Sequence, residues 1–184
     1  MRFDVDMHGW VRQARRLPSP NCDARPCGMP VCLLVIHCIS LPRGCYGGAA
    51  VAQLFANTLD TQADPRLADL AGLRVSSHFL IRRDGELLQF VSGHQRAWHA
   101  GVSCWQGRPG CNDFSIGVEL EGVDDGPYTD AQYEVLAALQ QGLLGAYPLR
   151  AQAAHSDIAP GRKTDPGPGF EWSRASAQLE RVAR

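Results

Sequence analysis

The sequence predicts an α/β fold, a mixed central β-sheet of about five or six strands flanked by helices on both faces. Three stretches carry this expectation. Val31-Cys32-Leu33-Leu34-Val35-Ile36 is the most apolar run in the chain and shows no polar alternation, as a strand covered on both faces requires. Ser115-Ile116-Gly117-Val118-Glu119-Leu120-Glu121 alternates with period two, so Ile116, Val118 and Leu120 share one face while Gly117, Glu119 and Glu121 share the other. Thr129-Asp130-Ala131-Gln132 fits a capping box in front of Tyr133, Leu136, Leu139, Leu143 and Leu144. A helix should therefore run to Tyr147-Pro148 and cover one sheet face.

Length and composition set the bounds. With 184 residues, 45% of them hydrophobic, the chain suits one domain, 1–184, with a sizeable core. Lys and Arg number 18 against 19 Asp and Glu, and a net charge of −1 gives no general attraction to nucleic acid or an anionic membrane. Neither is expected as a partner. No run approaches the ~20 apolar residues of a membrane span. The first residues carry early acids and lack the apolar block of about 7 to 15 residues that an export signal needs, so a cytoplasmic location is expected. Cys22, Cys27, Cys32, Cys38, Cys45, Cys104 and Cys111 are odd in number and form no CxxC pair, which reads as reduced thiols. A zinc knuckle from Cys22, Cys27 and Cys32 is the alternative, against which their five-residue spacing counts.

The remaining elements follow in chain order. Residues 1–30 are polar and contain Pro18, Pro20, Pro26 and Pro30, which predicts an extended arm laid over the core and pinned by Trp10 and Leu17. After the first strand, Ser40 to Gly48 is a glycine-rich loop, and residues 50–59 read as a short helix with Val51, Leu54, Phe55 and Leu59 inward. Segments 75–82 and 86–91 flank Arg83-Asp84-Gly85, whose Asp-Gly pair signals a hairpin. His78, within its first strand, reads as structural. Arg96-Ala97-Trp98-His99-Ala100-Gly101 is a loop whose Trp98 and His99 either pack or wall a sugar site, because flat aromatic rings bury the apolar faces of sugars. Residues 172–182 read as a terminal helix with Leu179 and Val182 buried.

The chemistry concentrates in His155 to Pro168, where an imidazole, two carboxylates and two cations share a segment that Pro and Gly keep from being a helix. A divalent cation bound by His155 and Asp165 would use these charges. A third ligand must come from elsewhere. His37, at the rim where the buried strand emerges, is one candidate and His99 is its rival. Two His and one Asp leave a tetrahedral zinc a free position for water, the composition of a catalytic site. A glutamate near the end of the 115–121 strand, Glu119 or Glu121, is placed to reach such a water.

Longer blocks then resemble a known family. Trp10, Ala14-Arg15-Arg16-Leu17-Pro18-Ser19-Pro20, Ile36-His37, Leu73-Arg74-Val75-Ser76, Arg96 to Ser103, Cys111 to Gly117, Glu119 to Gly122 and Asp157 to Pro168 occur in the order found in the amidase_2 and peptidoglycan-recognition-protein superfamily. The resemblance implies Zn2+ held by His37, His155 and Asp165 in a groove at one edge of the sheet, Glu119 as the catalytic glutamate and Lys163 as the active-site lysine. It moves His99 to the substrate side, beside Arg74, Ala97, Trp98 and Arg162, and leaves Glu121 unassigned. It implies a monomeric zinc amidase of peptidoglycan recycling. Its substrates would be (1,6-anhydro-)N-acetylmuramoyl peptides, cut between the lactyl group and the first L-alanine of the stem. A non-catalytic muropeptide-binding module and an amidase of polymeric cell wall are the alternatives. The intact ligand set argues against the first, the missing export signal and reduced cysteines against the second. Two departures stand out: Cys38 where the family carries Asn, and Gly110 where a basic residue precedes Cys-Asn.

Overall fold

The computed structural model describes residues 2–175 and 178–181. In chain order its strands are β1 (Arg15–Arg16), β2 (Cys22–Ala24), β3 (Leu33–Ile39), β4 (Phe79–Ile81), β5 (Leu87–Gln89), β6 (Gln95–Ala97), β7 (Cys104–Trp105), β8 (Arg108–Pro109), β9 (Ser115–Glu121), β10 (Ala151–Ala154) and β11 (Glu180–Arg181). The helices are α1 (Ala50–Phe55), α2 (Asp130–Ala146) and α3 (His155–Ile158), with short 3-10 turns between them. Seven strands form the main sheet in the order β1-β5-β4-β9-β3-β10-β11. Only the β4–β5 pairing in it is antiparallel, so the sheet is mixed as the sequence predicts. The strands beyond the expected five or six are the two-residue edge strands β1 and β11.

Strand parity builds the two faces. Leu34 and Ile36 of β3 and Ile116, Val118 and Leu120 of β9 pack against Tyr133, Leu136, Leu139 and Leu143 of α2. Each such side chain, fully buried, contributes roughly 1.5–3 kcal/mol. Thr129 caps α2 as expected: its Oγ1 accepts from the Gln132 amide at 3.2 Å, and its own amide donates to Gln132 Oε1 at 3.0 Å. On the opposite face Leu33 and Val35 meet Ala100, Phe114 and Ile158 of α3. There too Leu80 and Leu88 meet Val51, Leu54 and Phe55 of α1. Helices thus cover both faces, and the parity that sends Leu34 and Ile36 toward α2 sends His37 and Glu119 to the other side.

The amino-terminal arm adds β1 to the sheet edge beside β5 and pairs β2 with β6. Leu17 packs on the α1 cluster, and Trp10 takes Arg16 over its ring at 5.2 Å. Arg25 fixes the arm from inside, donating to the carbonyls of Gly93, Asn112, Asp113 and Ser115 at 2.8–3.3 Å. Burial lowers its guanidinium to about 10. Arg83-Asp84-Gly85 makes the predicted hairpin, with Gly85 at φ 89°, a left-handed conformation that glycine adopts without strain.

Three expectations change. The helix expected at 50–59 ends at Phe55 because Asn57 adopts φ 60° and turns the chain. The loop beginning at His155 opens with one helical turn, α3, before Pro160 and Gly161 end it. The helix expected at 172–182 is a 3-10 turn, Trp172–Arg174, followed by β11. Trp172 is held between Phe170 at 4.7 Å and Arg181 at 3.7 Å, and the open edge of β10 captures the chain before it can coil. Leu179 is buried as predicted, whereas Val182 lies outside the described residues. Among the described residues no helix is long and apolar enough to cross a membrane.

Candidate metal centre and active site

The site lies at the carboxyl-terminal rim of the three central parallel strands. The β3–β9 register sets His37 directly beside Glu119, and β10 pairs Ala154 with Ile36, so His155 arrives beside His37 one residue later. Asp165 completes the group from the following loop. The Nδ1 atoms of His37 and His155 are 2.9 Å apart, and Asp165 Oδ2 lies 3.2 and 3.1 Å from them. This is the one grouping of three or more His, Cys, Asp or Glu among the described residues that could hold a metal ion. The cysteine knuckle weighed for Cys22, Cys27 and Cys32 does not form there.

The hydrogen-bond network assigns the tautomers. The Ser115 hydroxyl donates to the Cys111 carbonyl at 2.5 Å, so its oxygen accepts from His99 Nε2–H at 3.1 Å. His99 Nδ1 is then bare and accepts from His37 Nε2–H at 2.9 Å, which leaves His37 Nδ1 as a lone pair. His155 Nε2–H donates to the Ala100 carbonyl at 3.3 Å, so in the neutral ring Nδ1 is the lone pair that faces the cluster. With both rings neutral, two nitrogen lone pairs and a carboxylate oxygen converge. That donor set suits a cation. The separations approach the edges of about 3.3 Å that ligand bonds of 2.0–2.1 Å subtend around tetrahedral zinc.

Electrostatics point the same way. Burial and neighbouring His155 lower His37 to about 4, keeping it a neutral donor atom. Burial pushes the Asp165 carboxyl up, but its close contacts with the His155 and His37 rings outweigh this and hold it well below the usual carboxylate range. Glu119 behaves oppositely: burial first, then the Asp165 charge, raise it well above the ordinary value, against a smaller pull from Lys163. Its Oε2 is buried and has no hydrogen-bond partner among the described residues. A carboxylate so poised is ready to take a proton. Lys163 is exposed on the loop above the cluster.

The other predicted residues divide. Trp98 is half-buried and Arg74 exposed. Arg162 is exposed but its Nη2 is committed to the carbonyls of Ala100 and Val102 at 2.7 and 2.8 Å. Ala97, expected in the groove, is fully buried in the cluster formed with α1. His99, expected on the substrate side, lies behind His37 on the face away from Asp165, both ring nitrogens occupied, and so is neither a groove wall nor the third ligand.

Glu121, left unassigned by sequence, holds the Ser40–Gly48 loop: its carboxylate accepts from the Gly47 amide at 2.7 Å, Arg82 Nη1 at 3.1 Å and the Arg83 amide at 3.2 Å. Sequence reasoning gave no role to Ser115 or Asn112. Only their place in the Cys111–Gly117 block marked them. Beside the cluster is a cavity of about 380 Å³ lined by Cys38, Ser40, Arg43, Asp124, Lys163 and Asp165. Burial pushes the Cys38 thiol up to about 12, so it enters this cavity as a neutral group. Gly110 adopts φ 72°, which suits glycine, and Asp113 is instead paired with Arg96 at 2.6 Å.

The sheet and the loop after it bring two histidines, an aspartate and a buried glutamate to one rim, a donor set suited to a metal-dependent hydrolase. The match of residues 28–168 to the Amidase_2 family, N-acetylmuramoyl-L-alanine amidase, establishes that the chain belongs to that family. Within it, the chain is 56% identical over 174 residues to the 1,6-anhydro-N-acetylmuramyl-L-alanine amidase AmpD of Enterobacter cloacae, covering 94% of this chain and 93% of that protein. It superposes on the crystal structure of a selenomethionine AmpD derivative with a TM-score of 0.90 at 53% identity, over 95% and 98% of the two chains. The Escherichia coli amidase AmiD, solved with the substrate anhydro-N-acetylmuramic acid-L-Ala-D-gamma-Glu-L-Lys, matches with a TM-score of 0.59 at 29% identity, over 96% of this chain and 66% of that one.

Proposed function

We propose that the protein is a zinc-dependent amidase. It hydrolyses the bond between the lactyl group of 1,6-anhydro-N-acetylmuramic acid and the L-alanine of the stem peptide, in the cytoplasm, during peptidoglycan recycling. The observation that carries this reading is the pair of bare Nδ1 atoms converging with Asp165, set by strand register beside the raised, unpartnered carboxyl of Glu119. The likeness to AmpD over most of both chains supports the anhydro sugar as the preferred substrate.

His37, His155 and Asp165 hold the metal. A zinc ion there supplies Lewis-acid polarisation of the scissile carbonyl and acidifies water. Glu119 takes the proton from the attacking water, a transfer favoured by the same burial that raises its affinity for protons. It then delivers that proton to the departing amide nitrogen, which leaves poorly unless protonated. Lys163 stands on the open side of the cluster, where its ammonium stabilises the negative charge that grows on the carbonyl oxygen. Trp98 offers a flat face for the sugar, and Arg74 a cation for carboxylates of the peptide.

The test is mass spectrometry of anhydro-muramoyl tripeptide incubated with the purified protein, with and without a chelator. Free peptide that appears, is abolished by chelation and is restored by zinc is the expected outcome. An intact substrate in the zinc-loaded protein would overturn the catalytic reading in favour of a muropeptide-binding module.

A further inference from the structure

We infer that the dipeptide His99-Ala100 is a positioning plate that sets both histidine ligands from behind, and that His99, backed by Ser115, selects Nδ1 of His37 as its ligand atom. The inference rests on the metal reading above and extends it to residues that touch neither metal nor substrate.

The two residues work in adjacent positions. His99 uses its side chain to accept His37 Nε2–H, and Ala100 uses its carbonyl to accept His155 Nε2–H. Each ligand is therefore oriented by an acceptor one residue away from the other's. The plate is itself held. Asn112 Oδ1 receives the His99 amide at 3.1 Å and the Ala100 amide at 2.7 Å, and Arg162 reinforces the Ala100 carbonyl.

Its seat on the sheet requires glycine. A Cβ at Gly117 would lie 2.6 Å from His99 Cγ, so any side chain there would lift the imidazole off β9 and away from His37. His78 closes the far side, its Nδ1 accepting the Gly117 amide at 3.0 Å.

The tautomer is transmitted along a chain with one fixed end. A carbonyl can only accept, so Cys111 fixes the Ser115 proton, Ser115 fixes the His99 proton, and His99 fixes that of His37. Without the acceptor at His99, the His37 proton is free to move to Nδ1, and the metal must displace it and rotate the ring. Outer-shell acceptors of this type typically govern metal affinity by about 10- to 100-fold.

The experiment measures zinc affinity by competition with a chromogenic chelator, together with 15N NMR of the histidine rings in the zinc-loaded protein. His99→Leu keeps the volume and removes the acceptor, and its zinc dissociation constant should rise by about 10- to 100-fold. His99→Gln presents an amide oxygen to His37 and an amide N–H to Ser115, and should return affinity to within about threefold of wild type. Ser115→Ala removes one oxygen from the relay, should weaken zinc by several-fold, and carries the test if His99→Leu does not fold. In the wild type, His37 should retain its proton on Nε2. Unchanged zinc affinity in both His99→Leu and Ser115→Ala, or His37 bound through Nε2, would overturn the inference while leaving the metal reading intact. A wild-type chain that binds no zinc would overturn the metal reading and this inference with it.

Discussion

Glu119→Gln separates catalysis from stability more sharply than any other change at this site. The substitution preserves shape, removes the proton-accepting carboxylate and leaves His37, His155 and Asp165 untouched. General base catalysis contributes about 10²- to 10⁴-fold, equivalent to about 3–5 kcal/mol of barrier, so turnover should fall by that factor at unchanged zinc content. Stability should move the other way. The folded chain holds the Glu119 proton more tightly than the unfolded chain does, because burial and Asp165 oppose its charge. Its contribution to stability is therefore fully present below the unfolded carboxyl value and is lost as pH rises through the folded one. Metal-free Glu119→Gln should unfold at a higher temperature than metal-free wild type at about pH 8, and the gap should close at about pH 5. The assays are turnover on anhydro-muramoyl tripeptide and thermal unfolding after chelation. Turnover within about threefold of wild type would remove Glu119 from the mechanism, since that is far below the scale of a lost base. A variant less stable than wild type at the higher pH would show that the carboxylate is comfortably charged, contrary to its unpartnered burial.

Other outcomes follow from the same geometry. Lys163→Ala should lower turnover by about 10²- to 10³-fold, the cost of one oxyanion-stabilising donor, with zinc content unchanged; a loss of zinc alone would contradict that role. Glu121→Ala should destabilise the fold by about 1–3 kcal/mol in urea unfolding, because it leaves the Gly47 and Arg83 amides without their acceptor and takes one of the two carboxylates from Arg82, which keeps Glu86; no measurable change would refute the anchoring role. Burial and the Arg25 charge hold His78 at about 3, below its ordinary 6.5, so the stability it contributes is present above the ordinary value and lost as pH falls toward the folded one. By about pH 5 its share is a loss of about 2 kcal/mol, which His78→Asn should remove; equal pH slopes in the two proteins would refute this.

The strand-borne half of the site was legible in the sequence, and the loop-borne and backing parts were less so. The unbroken apolar run ending in His37 and the alternation around Glu119 report local burial, and local burial is what periodicity encodes. Parity alone put Glu119 and Glu121 on the same face, yet one is an unpartnered acid at the metal rim and the other a loop anchor. The difference depends on Gly47 and Arg82, which come from distant segments. His99 illustrates the same limit. Its neighbour Trp98 suggested an exposed sugar wall, whereas Gly117, eighteen positions on, opens the space that lets the ring sink behind His37. The terminal segment forms a 3-10 turn and an edge strand instead of the expected helix because β10 offers it a free edge, and sheet edges are invisible before the topology is known.

Of the three proposed ligands, His37 rides on β3, His155 opens α3 directly after β10, and Asp165 rides on a loop. That division couples the metal to loop order. His37 and His155 follow β3 and β10 pairings that exist without metal, but Asp165 is carried by a segment with Pro160, Gly161, Pro166 and Gly167 in it. Its backbone meets the start of the ligand turn where the Ser156 amide donates to the Asp165 carbonyl at 3.0 Å. Zinc bound to Asp165 and both histidines stabilises whatever conformation brings the three together, by RT ln(1 + [Zn]/Kd), about 2.7 kcal/mol at a hundredfold excess over Kd. Chelation should therefore accelerate hydrogen exchange at the Ser156 amide by about tenfold or more while leaving the β3 and β9 amides protected. Equal exchange at Ser156 in the loaded and chelated protein would mean that the loop is held by its own contacts, and that the metal site is preformed in all three ligands.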